Sequence, residues 1–219
     1  MAREKTRFWF VFFVVAWVLP TIVAWSVTPS LELHFSLLVW QQAMFILGGL
    51  WGRQPLNLHF PRFATVLRGL VYGVGLFVFN TFVGALNFRF VTRLIGLEVA
   101  QNLILQERAG VHAFLQSGNP LLVAGVIVLL IVGAPLGEEL FFRQLLLTSW
   151  RESLGTKWAI FLSALLFALL HFYLVQFIPV LLAGIILGLM FVRTENIAIP
   201  IIAHAFVNTV VLLLELRIL

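Results

Sequence analysis

Residues 121–150 read LLVAGVIVLLIVGAPLGEELFFRQLLLTSW. Apolar side chains run from Leu121 to Trp150, yet Glu138, Glu139 and Arg143 stand among them. A hydrocarbon core ~30 Å thick takes about 20 residues of helix, so the stretch predicts a membrane span at 120–150. An ionised acid or Arg at mid-bilayer costs ~2.5–3.5 kcal/mol, so these three cost on the order of 7–10 before pairing. A span ending at Gly137, with the charges solvated at the interface, is the alternative. Leu140, Phe141, Phe142, Leu145, Leu146 and Leu147 argue against it, because they ask for continued burial. The charges therefore need partners and a protein-lined interior.

The rest of the chain fits that reading. Of its 219 residues 62% are hydrophobic and only 11% charged, whereas a soluble domain carries about 25% charged residues. Mean hydropathy is +1.06. This composition predicts an integral membrane protein. Every acid is Glu, and there is neither Asp nor Cys. Disulfides, thiolate metal sites, cysteine nucleophiles, aspartyl dyads and Ser-His-Asp triads are thereby excluded. The net charge of +5 does not point to nucleic acid, because the basic residues are scattered singly among apolar runs.

Apolar runs predict an all-α, polytopic bundle of about seven spans, at 8–27, 32–51, 66–87, 120–150, 158–174, 176–193 and 197–217. Segment 88–115 mixes Arg89, Arg93, Glu98, Gln101, Asn102, Glu107 and Arg108 with apolar residues. It suits an interfacial amphipathic helix, an eighth span being the alternative. Residues 1–219 read as one membrane domain, with N-terminal spans and the amphipathic segment in 1–119 and a helical core in 120–217. Arg3, Lys5 and Arg7, then Arg53, Arg62 and Arg68, then Arg151 and Lys157, then Arg193 all fall on one side. The positive-inside rule makes that side cytoplasmic, with the N-terminus in and the C-terminus out. Pro179 predicts a short or broken helix at the tight turn between the fifth and sixth spans.

Helical spacing separates the two acids. Glu139 and Arg143 are i, i+4 with the acid first, the favourable ion-pair order. Glu138 lies about 100° away round the helix, which leaves it the less neutralised carboxylate and the better general base. Two further polar features follow. His171 closes Phe167-Ala-Leu-Leu-His171, where a hydrogen-bonded interior histidine is the bland alternative to a catalytic one. His204 and Asn208 share one face of the last span, either as donors to an oxyanion or as a polar helix contact. At 1.5 Å per residue, Glu138 lies roughly 18 Å from the cytoplasmic end of its span, His171 roughly 20 Å, and His204 and Asn208 roughly 10 and 16 Å. Groups from three helices at similar depth predict a polar chamber within the membrane. Gly133-xxx-Gly137 and Gly184-xxx-Gly188 predict close helix packing around it. Gln41, Gln42, Asn80 and Asn87 read as interhelical hydrogen-bonding residues, and His34, His59 and His112 as interfacial ones.

Chemistry by elimination leaves water activated by a carboxylate. No His is followed by Glu, so H-E-x-x-H is absent; Ser163 lacks a G-x-S-x-G context; Lys5 and Lys157 sit at membrane edges. Glu138-Glu139-xxx-Arg143, Phe167-xxx-His171 and His204-xxx-Asn208, in that order on late hydrophobic helices, resemble the motifs of the CAAX-protease and bacteriocin-processing (CPBP, or Abi) family of glutamic intramembrane proteases, over about residues 120–215. The resemblance implies that Glu138, helped by His171, activates water. It further implies that His204 and Asn208 form the oxyanion site and that Glu139 and Arg143 support the catalytic helix. A membrane-embedded or lipidated peptide substrate follows, with no cofactor; Zn²⁺ on Glu138, His171 and His204 is the less favoured alternative. A prokaryotic cytoplasmic membrane is the expected setting, and oligomeric state stays open. A proton- or ion-coupled transporter, in which Glu and His form a relay, and a non-catalytic immunity or scaffold protein are the competing functions.

Overall fold

A computed structural model describes residues 11, 22, 30–50 and 61–217. The predicted span at 8–27, the basic residues Arg3, Lys5, Arg7 and Arg53, and His59 lie outside, or almost wholly outside, the described residues. Among the described residues from 30 onward, seven helices follow one another: α1 (Leu31–Leu50), α2 (Phe63–Ile95), α3 (Leu97–Leu115), α4 (Pro120–Leu154), α5 (Thr156–Leu169), α6 (Phe177–Thr194) and α7 (Ala198–Glu215). Of these, α1, α2, α4, α6 and α7 are long and apolar enough to cross a membrane. The protein is an all-helical, multi-pass membrane protein.

Three boundaries differ from expectation. Helix α2 does not stop at 87 but runs 33 residues to Ile95, because nothing breaks it before Gly96, whose φ of 85° no L-residue adopts easily. The amphipathic segment is therefore confined to α3, which is not among the helices apolar enough to span. Helix α5 has 14 residues, about 21 Å at 1.5 Å per residue, and stops at Leu169 rather than 174. Residues 170–176 form a connection before α6, so the turn is longer than the sequence suggests. Pro179 sits in the first turn of α6, where a missing N–H costs no helical bond, and so it starts that helix without breaking it.

Glycines set the helix spacing. An added Cβ at Gly69 or Gly73 of α2 would meet Ile202 or Phe206 of α7 at 2.7 and 2.9 Å. Gly184 and Gly188 of α6 fit against Ala164, Phe167 and Ile160 of α5, as the small-residue spacing predicted. In α4, Gly125 closes on Phe35 and Gly137 on Gln42, both of α1; Gly133 faces its own helix's Leu129. Met44 and Phe45 of α1, Phe141, Phe142, Leu145 and Leu146 of α4, and Phe167 of α5 form one buried cluster. The Phe45 and Phe141 rings stack with centroids 4.6 Å apart.

Helix α4 is not regular. Its backbone takes π turns at Leu129–Gly133 and Leu140–Leu147. Pro135 accounts for the first, since it has no N–H and its ring crowds the carbonyl four residues back. The Ala134 N–H bonds to Leu129 O, five residues away. Leu130 O then has no backbone donor left, because its partner at the same spacing is Pro135.

Candidate active site

Arg143 and Glu139 are fully buried. Arg143 Nε lies 3.1 Å from Glu139 Oε2, the i, i+4 pair read from the sequence. Arg143 Nη2 also donates to Gly184 O at 3.1 Å, and its guanidinium carbon stands 4.7 Å from the Phe167 ring centre. A charge so deep is tolerable only when compensated on several sides, and a carboxylate, a carbonyl and an aromatic face do this here.

His204 joins the two acids. Its Nδ1 lies 3.0 Å from Glu139 Oε1, and its Nε2 lies 3.8 Å from Glu138 Oε2. Glu139 is thus held from two sides, by Arg143 and by His204. Glu138 makes the longer contact with His204 and remains partly exposed to the cavity.

His171 lies just past the end of α5, in the turn rather than in the helix. Its Nδ1 donates to Phe167 O at 2.7 Å. Because a carbonyl only accepts, that bond places the proton on Nδ1 and leaves the Nε2 lone pair. The Phe167 ring fixes its other surroundings, with centroids 4.5 Å from His171 and 6.0 Å from His204. Phe167 thus links Arg143, His171 and His204; the sequence placed it in a motif without a role.

Asn208 Nδ2 donates to Leu130 O at 3.0 Å, filling the acceptor that Pro135 strands. A primary amide has two N–H bonds, so one is spent on the helix and one is left.

Glu138, His171, His204 and Asn208 line one cavity of about 660 Å³, within the usual range for ligand sites. The convergence expected from depth is present. Gln42, Asn80, Glu107, Tyr173 and Glu215 line the same space. Asn87 bonds Val175 O at 2.6 Å, so it holds a loop and not a helix. Gln42 Oε1 and Asn80 Oδ1 are buried without hydrogen-bond partners, contrary to the interhelical bonding expected of them. His112 is not merely interfacial: its Nε2 lies 2.9 Å from Glu215 Oε2, and Arg108 pairs with the other oxygen of that carboxylate. These contacts join residues more than 100 positions apart, which spacing within one helix cannot reveal. Among the described residues no three of His, Cys, Asp and Glu group as a metal-ion set.

The fold and site define a class: a helical membrane protein with paired glutamates, two histidines and an asparagine around an internal chamber. Residues 120–210 match the family described as "Type II CAAX prenyl endopeptidase Rce1-like", and all six predicted site residues fall inside that segment. A relative, "Putative membrane peptidase YdiL" of Bacillus subtilis (strain 168), is 31% identical over 92 residues, 42% of this chain and 37% of that protein. The matched part is thus a little over a third of that relative's length. No solved structure matches the chain. The segment similar to that family, residues 120–210, carries all three motifs.

Proposed function

We propose that this protein is an intramembrane peptidase in which Glu138 activates water to hydrolyse a peptide bond of a membrane-associated or lipidated peptide. The observation that carries the reading is the meeting of Glu138, His171, His204 and Asn208 on one cavity inside an apolar bundle, with Glu138 left out of the buried Arg143 pair. Glu138 takes a proton from water and the oxygen attacks the scissile carbonyl. The C–N bond then breaks as the proton passes to the leaving amine. His171 Nε2, with its lone pair free, supports the same water. His204 Nδ1 donates to Glu139, so Nε2 offers an N–H to the oxyanion only when the imidazole carries both protons, and the remaining N–H of Asn208 is the second donor. Loss of one such donor typically costs ~10²–10³ in rate. The reaction proceeds without metal, in a prokaryotic cytoplasmic membrane with the N-terminus inside.

Mass spectrometry of membrane peptides from cells carrying wild-type protein or Glu138→Ala tests this. Products present only with the wild type are expected; identical peptide sets at equal protein levels overturn the reading. Cleavage by pure protein should survive a chelator, and loss restored by Zn²⁺ would make Glu138, His171 and His204 metal ligands instead.

A further inference from the structure

The geometry points to Glu107, on α3 and outside the segment that matches the family, as the residue that positions His171 by clamping the loop it stands on. This rests on the peptidase reading above. Glu107 Oε1 accepts from two consecutive backbone amides, Leu174 N and Val175 N, each at 2.6 Å. Asn87 of α2 takes the other side of the same loop by donating to Val175 O at 2.6 Å. The loop is therefore held at three backbone groups by side chains 67 to 88 residues away in sequence.

The loop needs such a hold. Phe172, directly after His171, has φ of 54°, in the left-handed region that a bulky L-residue adopts only under constraint. Backbone strain of this kind persists where surrounding contacts over-determine it, and it collects at functional sites. The exposed Phe172 and Leu174 flank Tyr173, whose ring centroid lies 5.6 Å from that of His171 and which lines the cavity. Between the end of α5 at Leu169 and the clamp at Leu174 only a few residues intervene, so the clamp sets where the chain leaves His171. With Glu107 removed, the Phe167 carbonyl still holds the His171 ring, but the chain beyond it is free to relax out of the left-handed conformation. The imidazole would then shift relative to Glu138. Glu107 acts through the backbone and touches no reacting atom, so it is a positioning residue.

Full-length protein in detergent, assayed with a fluorogenic farnesylated CAAX peptide, gives the test. Glu107→Ala should lower kcat by about 10- to 100-fold, as small misplacements do, with KM little changed. Glu107→Gln keeps an acceptor oxygen and should restore most of the rate. In a His171→Ala background, Glu107→Ala should cost nothing more, because the residue it positions is gone. Hydrogen exchange at the Leu174 and Val175 amides should quicken in Glu107→Ala and stay near wild type in Glu107→Gln. Glu107→Asp, which draws the carboxylate back by one methylene, carries the same expectations if the alanine variant does not fold. Unchanged kcat with unchanged exchange overturns the inference, as does an added loss in the His171→Ala background. A wild type that cleaves neither this peptide nor any membrane peptide in the mass-spectrometric comparison, while Glu107→Ala still loosens the loop, overturns the peptidase reading and leaves the clamp standing.

Discussion

A methyl group at Gly49 would lie 2.3 Å from Leu140 Cβ and 2.7 Å from the Leu140 backbone, so the first described helix tolerates no larger residue there. Gly49→Ala should destabilise by ~1–3 kcal/mol, the usual cost of overpacking. Gly75→Ala, where nothing lies within 4 Å, should be neutral or stabilising, since Ala is the better helix former. Thermal unfolding in detergent separates the two. Arg143→Leu leaves Glu139 buried with only His204 beside it, and removal of one partner of a buried pair costs ~3–5 kcal/mol; the same melts should show it as the most damaging of these substitutions. Tyr173 supplies a pH signature. Burial first, then the nearby Glu107 and Glu138 charges, raise its hydroxyl above the ordinary value. The folded state therefore holds this proton more tightly than the unfolded chain. That stability is complete below about pH 10 and is lost as pH climbs through the higher folded value. Tyr173→Phe should flatten that part of the melting profile. At this scale the sequence was informative wherever partners are i, i+4: Glu139 with Arg143 was legible. The hold of His204 on Glu139 was not, because 65 residues separate them.

Within α4, the proline and the asparagine form one unit. Pro135 removes a donor, Leu130 O is stranded, and Asn208 supplies the replacement from α7. Pro135→Ala restores a backbone N–H that can serve the same carbonyl. Asn208→Ala should then cost less in the Pro135→Ala background than alone, by roughly the 0.5–1.5 kcal/mol of one hydrogen bond. A double-mutant cycle by thermal or denaturant unfolding reads the coupling, and additive losses would refute it. Pro135 is plain in the sequence. The turn it induces is not, since a proline inside an apolar run can kink, break or widen a helix. The end of α2 was missed for a related reason: polar residues at 88–95 suggested a boundary, while the break came only at the Gly96 backbone.

Across the molecule, apolar length and charge scarcity disclosed the helical membrane class, and three motifs disclosed the chamber, because both are properties of neighbouring residues. The contribution of 1–119 was not legible. Gly49 seats α4, Asn87 and Glu107 hold the His171 loop, and Arg108 with His112 closes on Glu215. All of these are long-range contacts, which spacing along one helix does not reveal. A fragment of residues 120–210 alone should therefore fail to accumulate as folded protein, or lose activity when it does. Topology is open to reporters fused at 155 and after 217: the first should report the cytoplasm and the second the outside, and the reverse pattern would invert the orientation.

The π turn at Leu129–Gly133 makes chain length at that point a rotational setting. It absorbs one residue more than a regular helix would, and each helical residue turns the chain by about 100°. A homologue one residue shorter there could form an unbroken helix of the same composition. Because the wide turn takes up the extra residue, the upstream and downstream halves keep the same phase in both proteins, and a lipid-facing stripe lines up with the glutamates only when the gap is placed at the turn. An alignment that places its gap elsewhere in 121–136 would then assign the wrong face to every residue between the gap and Leu129.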